Sequence, residues 1–205
     1  MDATCILSAE EVQRVLRYFA KQSPGRRAWT NLAIFRLSCC CGLRRKEIAG
    51  LNLGDVVVAG PRPCIRVSAS ITKGREGKRR SRIVPLWWDE GTRRDLEQFI
   101  VRRKASGATA SDPLICCTRP PRRGQRMALR TVDRRWSVLL VRVLGRERAK
   151  QLSIHKGRHS FITHALHVGR SLVEVQRAAG HASIEMTSRY AHLLERENIP
   201  DLFGG

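Results

Sequence analysis

Two serine capping boxes frame this chain and constrain its fold. Ser8-Ala9-Glu10-Glu11 and Ser171-Leu172-Val173-Glu174 each place a hydroxyl, and three residues later a carboxylate, where they satisfy the open amides of a helix start. Behind the first box, Val12, Val15, Leu16 and Phe19 recur at helical spacing. After a Ser-Pro-Gly break at 23–25, Leu32, Ile34, Phe35 and Leu37 define a second helix that ends at Gly42, and Arg44 to Leu51 gives a third, short one. The middle alone carries β-branched runs, at Val56 to Val58, Ile65 to Ile71 and Arg82 to Leu86, which read as three strands. Asp89 can cap the helix containing Leu96, Phe99, Ile100 and Val101. A linker at 106–112, a short apolar run Leu114 to Cys117 and a Pro/Arg/Gly-rich loop at 119–126 follow. Further helices are expected over about Thr131 to Leu144, His159 to Val168, the second capping box to Gly180, and Ser183 past Tyr190. The expected fold class is α+β, a mainly helical domain with a small three-stranded antiparallel sheet.

Charge narrows the partner. The 205 residues include 39 Lys plus Arg against 18 Asp plus Glu, a formal net charge of +21, with 42% hydrophobic residues to build a core. A folded chain this basic seeks a polyanion, and nucleic acid is the commonest. An anionic membrane surface is the weaker candidate: no apolar run approaches the length of a span, and the start reads as a capped helix rather than a signal peptide. Cys5, Cys39, Cys40, Cys41, Cys64, Cys116 and Cys117 form no CxxC and are odd in number, which argues against a disulfide framework or a zinc ribbon. They read as small buried residues of a cytoplasmic, reducing compartment.

The last third of the chain carries His155, Arg158, His181 and Tyr190 in one series, with the tyrosine nine residues after a histidine. Arg44 stands far upstream at the mouth of a helix. A phenol with a pKa of about 10 attacks phosphorus only if a base takes its proton and cations stabilise the phosphate charge. Planar guanidiniums suit the second task, and histidines suit the first. Taken singly, each residue has an ordinary reading as a solvated arginine, a satisfied core histidine or a half-buried aromatic. Order and spacing make the set informative.

Those spacings resemble the active-site boxes of the tyrosine recombinase, or phage integrase, family. Cys41-Gly42-Leu43-Arg44-Arg45-Lys46-Glu47 resembles its G-L-R-x-x-E box, and His155-Lys156-Gly157-Arg158-His159 its H-x-x-R-H box. Gly180-His181-Ala182-Ser183-Ile184 with Thr187-Ser188-Arg189-Tyr190-Ala191-His192 resembles its G-H-x-S-I…T-x-x-Y-x-H box. The resemblance implies the DNA breaking-rejoining fold over residues 1–205, with boxes at 42–47, 155–159 and 180–192. It implies that Tyr190 attacks a phosphodiester to give a 3′-phosphotyrosine, that Arg44, Arg158 and His181 hold the phosphate, that His155 relays the tyrosine proton, and that Glu47 supports Arg44. A hairpin lysine completes such a site; Lys73 fits, with Lys78 the alternative. Double-stranded DNA is the implied partner and a homotetramer the implied assembly, with no metal or other cofactor. Arg75, Lys78, Arg79, Arg80, Arg122, Arg123, Arg126, Arg130, Arg134 and Arg135 are the expected DNA-backbone contacts.

Two features depart from the family pattern. Gly157 stands where a leucine usually precedes the second arginine, which is expected to loosen that helix start. The chain also enters the catalytic region almost at once, so the usual N-terminal helical domain is expected to be absent. A type IB topoisomerase-like enzyme and a non-catalytic DNA-binding derivative remain as alternatives. His155 and His159, four residues apart, also have the spacing of a metal pair, but the box accounts for both.

Overall fold

The computed structural model describes residues 6–21, 25–72 and 80–190. Helices α1 (Ala9–Ala20), α2 (Arg26–Phe35) and α3 (Arg45–Gly50) lead into strands β1 (Val56–Val57), β2 (Cys64–Val67) and β3 (Arg82–Pro85). Helices α4 (Glu90–Lys104), α5 (Leu129–Leu144), α6 (Arg146–Lys150), α7 (Ile154–His167), α8 (Leu172–Ala179) and α9 (Glu185–Ser188) follow. The strands form one antiparallel sheet in the order β1-β2-β3, with Ile65 opposite both Val56 and Val84. This is the expected α+β architecture. Among the described residues no helix is long and apolar enough to cross a membrane.

Local chemistry explains most boundaries. Both serine capping boxes form, Ser8 with Glu11 and Ser171 with Glu174, and the Asp89 carboxylate accepts from the Thr92 amide at 3.0 Å. The expected strand from Ile65 to Ile71 stops at Val67, because the Ser68 hydroxyl accepts the Ser70 amide at 3.3 Å and turns the chain into a 3₁₀ segment, Ala69–Ile71. Ile71 then packs over Gly50, where a Cβ would lie 2.5 Å from its methyl carbon. Helix α7 begins at Ile154 rather than at His159, and α9 ends at Ser188, short of Tyr190. The five-residue α6 had no apolar periodicity to announce it.

A large core joins α1 to α5 and the sheet, around Phe35, Leu43, Ile48, Leu96 and Trp136. A smaller cluster holds Phe161, Ile162, Ala165, Val175, Ala178, Ala179 and Tyr190 together, so the tyrosine ring is part of the packing between α7 and α8. Between the two, residues Arg36–Cys40 form a π-helical turn after α2. The Ser38 hydroxyl of that turn donates to the Ile154 carbonyl at 2.9 Å. Here Gly157 does the opposite of loosening the helix start: a Cβ on it would meet Ser38 Oγ at 2.3 Å and Trp136 at 2.8 Å. Its missing side chain lets α7 lie directly on the π turn, and this corrects the sequence expectation.

The N-terminal backbone is pinned to α7 as well. The Leu7 amide donates to Ser160 Oγ at 2.9 Å, and His164 Nε2 donates to the Leu7 carbonyl at 2.9 Å. The other ring nitrogen, His164 Nδ1, is buried with no hydrogen-bond partner among the described residues. Charging this ring would bury an unpaired N–H. Burial accordingly holds the His164 pKa down to about 4, against the opposing pull of the Leu7 carbonyl. The unfolded chain therefore binds one more proton than the folded one between about pH 6.5 and pH 4. Stability present above that window is lost as pH falls through it, up to about 3 kcal/mol from this residue. Urea denaturation at pH 7 and at pH 4.5 should show the loss, and His164→Gln should flatten the slope between the two.

Candidate active site

The first arginine owes its place to a turn. Leu43 N donates to Leu37 O at 3.0 Å as the π turn ends, and Gly42 takes φ +64 with the ring of Phe161 where a Cβ would stand. Arg44 follows in extended backbone as the residue before α3. Its amide donates to Glu47 Oε2 at 2.7 Å and its guanidinium to Glu47 Oε1 at 3.1 Å. Its other terminal nitrogen points to the Gly180 carbonyl at 3.4 Å.

Glu47 has no exposed surface, yet two arginines converge on it. Arg82 of β3 grips both oxygens at 2.8 Å each, a bidentate pair, and sends its Nε to the Ala178 carbonyl at 2.9 Å. Burial alone would raise the Glu47 pKa. The hydrogen bonds and charge of Arg82, with the amide and charge of Arg44, outweigh it and hold the carboxyl below its ordinary value. Gly180, in left-handed backbone at the end of α8, lies against this arginine; a Cβ there would be 2.7 Å from Arg82 Cδ.

Arg158 sits one turn into α7 and is only 2% exposed. Nη1 donates to the Gly42 carbonyl at 2.7 Å, while the buried Nη2 has no partner among the described residues. Burial, and then repulsion from Arg44, bring this guanidinium down to about 9. It is a buried cation with an open donor.

The remaining groups close the same site. His181 Nδ1 bonds Thr187 Oγ1 at 2.8 Å, and the His181 ring lies near-parallel to that of Tyr190 with centroids 6.2 Å apart. The Tyr190 hydroxyl is 2.6 Å from His159 Nδ1. His155 meets His159 edge-on, with centroids 4.8 Å apart, and is exposed. Desolvation, then neighbouring positive charge, lowers both His159 and His181 to about 4, so both rings are neutral at pH 7. Burial raises the Tyr190 phenol above its usual value, against the charges of Arg158, Arg189 and Arg44.

Thus the structure brings Arg44, Glu47, Arg158, His181 and Tyr190 together, with His155 at the edge of the group. Lys73, Arg75, Lys78, Arg79 and His192 lie outside the described residues. Arg80, Arg122, Arg123, Arg130 and Arg134 are exposed. Arg126 instead ties down the end of α3, donating to Ala49 O at 2.8 Å and Leu51 O at 3.1 Å. Arg135 binds Asn31 and Thr118, each at 2.9 Å. Sequence reasoning gave no catalytic or supporting role to Arg82, His159 or Thr187. Arg82 had a readable signal: it shares its strand face with the buried Val84 while Ile83 points to solvent, so it is a charge on the inward register. Among the described residues no group of three or more His, Cys, Asp or Glu is arranged to hold a metal ion.

The chain is similar to known proteins over most of its length. The sequence model of the Phage integrase family matches residues 6–197. Tyrosine recombinase XerC of Pelobacter propionicus is 34% identical over 163 residues, covering 78% of this chain and 47% of that protein. Tyrosine recombinase XerD of Bradyrhizobium diazoefficiens is 28% identical over 196 residues, covering 93% of this chain and 59% of that one. The chain therefore belongs to the phage integrase family of tyrosine recombinases, and it spans about half the length of the curated relatives it matches. Among solved structures, XerA recombinase aligns with a TM-score of 0.67 at 25% identity, over 91% of this chain and 60% of that one. The XerH recombinase bound to a palindromic difH substrate, in its post-cleavage complex, aligns with a TM-score of 0.69 at 20% identity, over 93% of this chain and 50% of that one, a likeness of fold.

Neutralising the buried carboxylate should expose how much rests on it. Glu47→Gln leaves Arg82 and Arg44 facing an amide and should cost about 3 to 5 kcal/mol of stability by urea denaturation. Because the two groups are in direct contact, adding Arg82→Met to Glu47→Gln should cost less than the sum of the single changes.

Proposed function

We propose that this chain cleaves and rejoins DNA through a 3′-phosphotyrosine on Tyr190, as a site-specific recombinase. The observation that carries the reading is the open Nη2 of Arg158. A cation 2% exposed with an unpaired donor is costly until an anion with fixed geometry arrives, and a phosphodiester supplies one. Arg44 lies beside it and, among the described residues, pairs with Glu47 at 3.1 Å and reaches the Gly180 carbonyl at 3.4 Å. Neutral His181, its ring held by Thr187, is suited to donate its outer N–H to the same phosphate.

In the forward step Tyr190 Oη bonds to phosphorus and loses its proton to a histidine of α7, and the bond from phosphorus to the 5′ oxygen breaks. Lys73, or Lys78 in its place, protonates that oxygen. The phosphotyrosine keeps the bond energy, so rejoining needs no nucleotide. Exposed Arg80, Arg122, Arg123, Arg130 and Arg134, with Arg75 and Arg79, hold the backbone of double-stranded DNA. A full exchange of two duplexes requires four protomers. The compartment is the cytoplasm, in keeping with six free cysteines among the described residues.

Tyr190→Phe keeps the ring in its cluster and removes the nucleophile. On a nicked duplex that traps the intermediate, the wild-type chain should form a covalent adduct at Tyr190 and the variant none, with affinity unchanged within a few-fold. A wild-type adduct mapped to another residue, or none at all, would overturn the reading. Adduct formation should persist in excess EDTA, because the charge on the phosphate is met by Arg44 and Arg158. Loss with chelator, restored by magnesium or zinc, would contradict that assignment.

A further inference from the structure

We propose that His159, the residue after the second arginine, is the base that takes the Tyr190 proton, and that His155 stands behind it. The inference deepens the reading above and rests on it. The Tyr190 hydroxyl lies 2.6 Å from His159 Nδ1, with the ring centroids 5.5 Å apart. His155 and His159 both lie on α7, four residues apart, and their rings meet edge-on at 4.8 Å. His155 is exposed, whereas His159 lies half-buried between it and the phenol.

The groups that face His159 fix its protonation state. From its own helix come His155, Lys156 and Arg158, and from the packed C-terminal segment come His181 and Tyr190. Every charged neighbour among these is cationic. Desolvation and this positive surrounding keep the ring neutral, with a pKa of about 4. With Nε2 carrying the single ring proton, Nδ1 has the lone pair and the phenol O–H is its donor. The hydrogen bond of the resting site is then already aligned along the path of proton transfer.

The step balances without a further reactant. As Tyr190 Oη bonds to phosphorus, its O–H bond breaks and the proton passes to His159 Nδ1, giving an imidazolium. The 5′ oxygen leaves with the electron pair and takes a proton from the hairpin lysine. The incoming phosphate supplies the negative charge that this cationic cluster lacks, which raises the basicity of His159 when the proton must move. In rejoining, the 5′ hydroxyl attacks phosphorus and gives its proton back to the hairpin lysine, while His159 returns its own proton to the departing tyrosine oxygen.

His159→Asn separates base from anchor, since the amide oxygen can accept the phenol hydrogen bond but cannot hold its proton. Single-turnover cleavage of a trapping duplex is measured for wild type, His159→Asn and His155→Asn across pH 6 to 9. The expected result is a loss of at least about a hundred-fold at pH 7 in His159→Asn, and a smaller loss in His155→Asn. The His159→Asn rate should climb with pH as the phenol ionises unaided, while the wild-type rate changes little. Equal rates for His159→Asn and wild type, or a larger loss in His155→Asn, would overturn the assignment and leave the recombinase reading standing. A wild-type chain that forms no adduct would remove both. Independently of activity, ¹⁵N NMR of the DNA-free chain at pH 7 should show His159 as the neutral Nε2–H form, with an Nδ1 shift that moves in Tyr190→Phe. A protonated Nδ1, or no response to Tyr190→Phe, would also overturn it.

Discussion

The site depends on one buried carboxylate. Glu47 holds the amide and guanidinium of Arg44 on one side and both terminal nitrogens of Arg82 on the other, and Arg82 reaches on to the Ala178 carbonyl. Through this group the start of α3, the third strand and the end of α8 share one position. Such a pair contributes little net stability, because desolvation offsets most of its attraction. What it supplies is geometry: two planar guanidiniums on one fixed carboxylate can adopt few alternative arrangements.

Charge counting around Glu47 shows what the protein leaves open. Arg44, Arg82 and Arg158 bring three positive charges within reach of each other, and Glu47 returns one negative charge. His159 and His181 are neutral and do not relieve the excess. Arg82 is fully engaged, which leaves the surplus on Arg44 and Arg158. Among the described residues, the two arginines read from the sequence as a phosphate pair are therefore the ones that carry this surplus, Arg44 sharing Glu47 with Arg82 and Arg158 keeping one donor open.

The fold was legible where a local rule acts alone. Capping boxes, the Asp89 cap and the left-handed glycine after α8 all depend on a few consecutive residues, and all three formed as read. Tertiary contact decided the rest. Gly157 looked like a defect in a helix start until the π turn and Trp136 were seen to occupy the space of its side chain. The run from Ile65 to Ile71 has strand composition throughout, but a serine hydroxyl competing for a backbone amide ends the strand early. Exposed Arg126 and half-buried Arg135 carry the same charge as their neighbours, and only the fold joins them to carbonyl, amide and hydroxyl oxygens. Box spacing could place two histidines near a tyrosine but could not say which one faces it, since that depends on how the segment after α9 returns to α7.

On the proposed function, the same geometry would keep a buried tyrosine quiet until a phosphodiester arrives. Burial raises its phenol, the neutral histidine beside it is a weak base, and the nearest guanidinium is itself destabilised by desolvation. Burial is the first cause of each; the positive charges of the site lower the histidine and the arginine further and oppose the rise of the phenol. On the proposed function, a phosphodiester against Arg158 and Arg44 would act on both groups together. It would stabilise the charged guanidinium and make the histidine more basic, and the phenol would pass its proton to His159 as its oxygen bonds to phosphorus. Under that proposal, ground-state silence and transition-state stabilisation would both follow from one arrangement of fixed charges, with the phosphodiester completing the electrostatics.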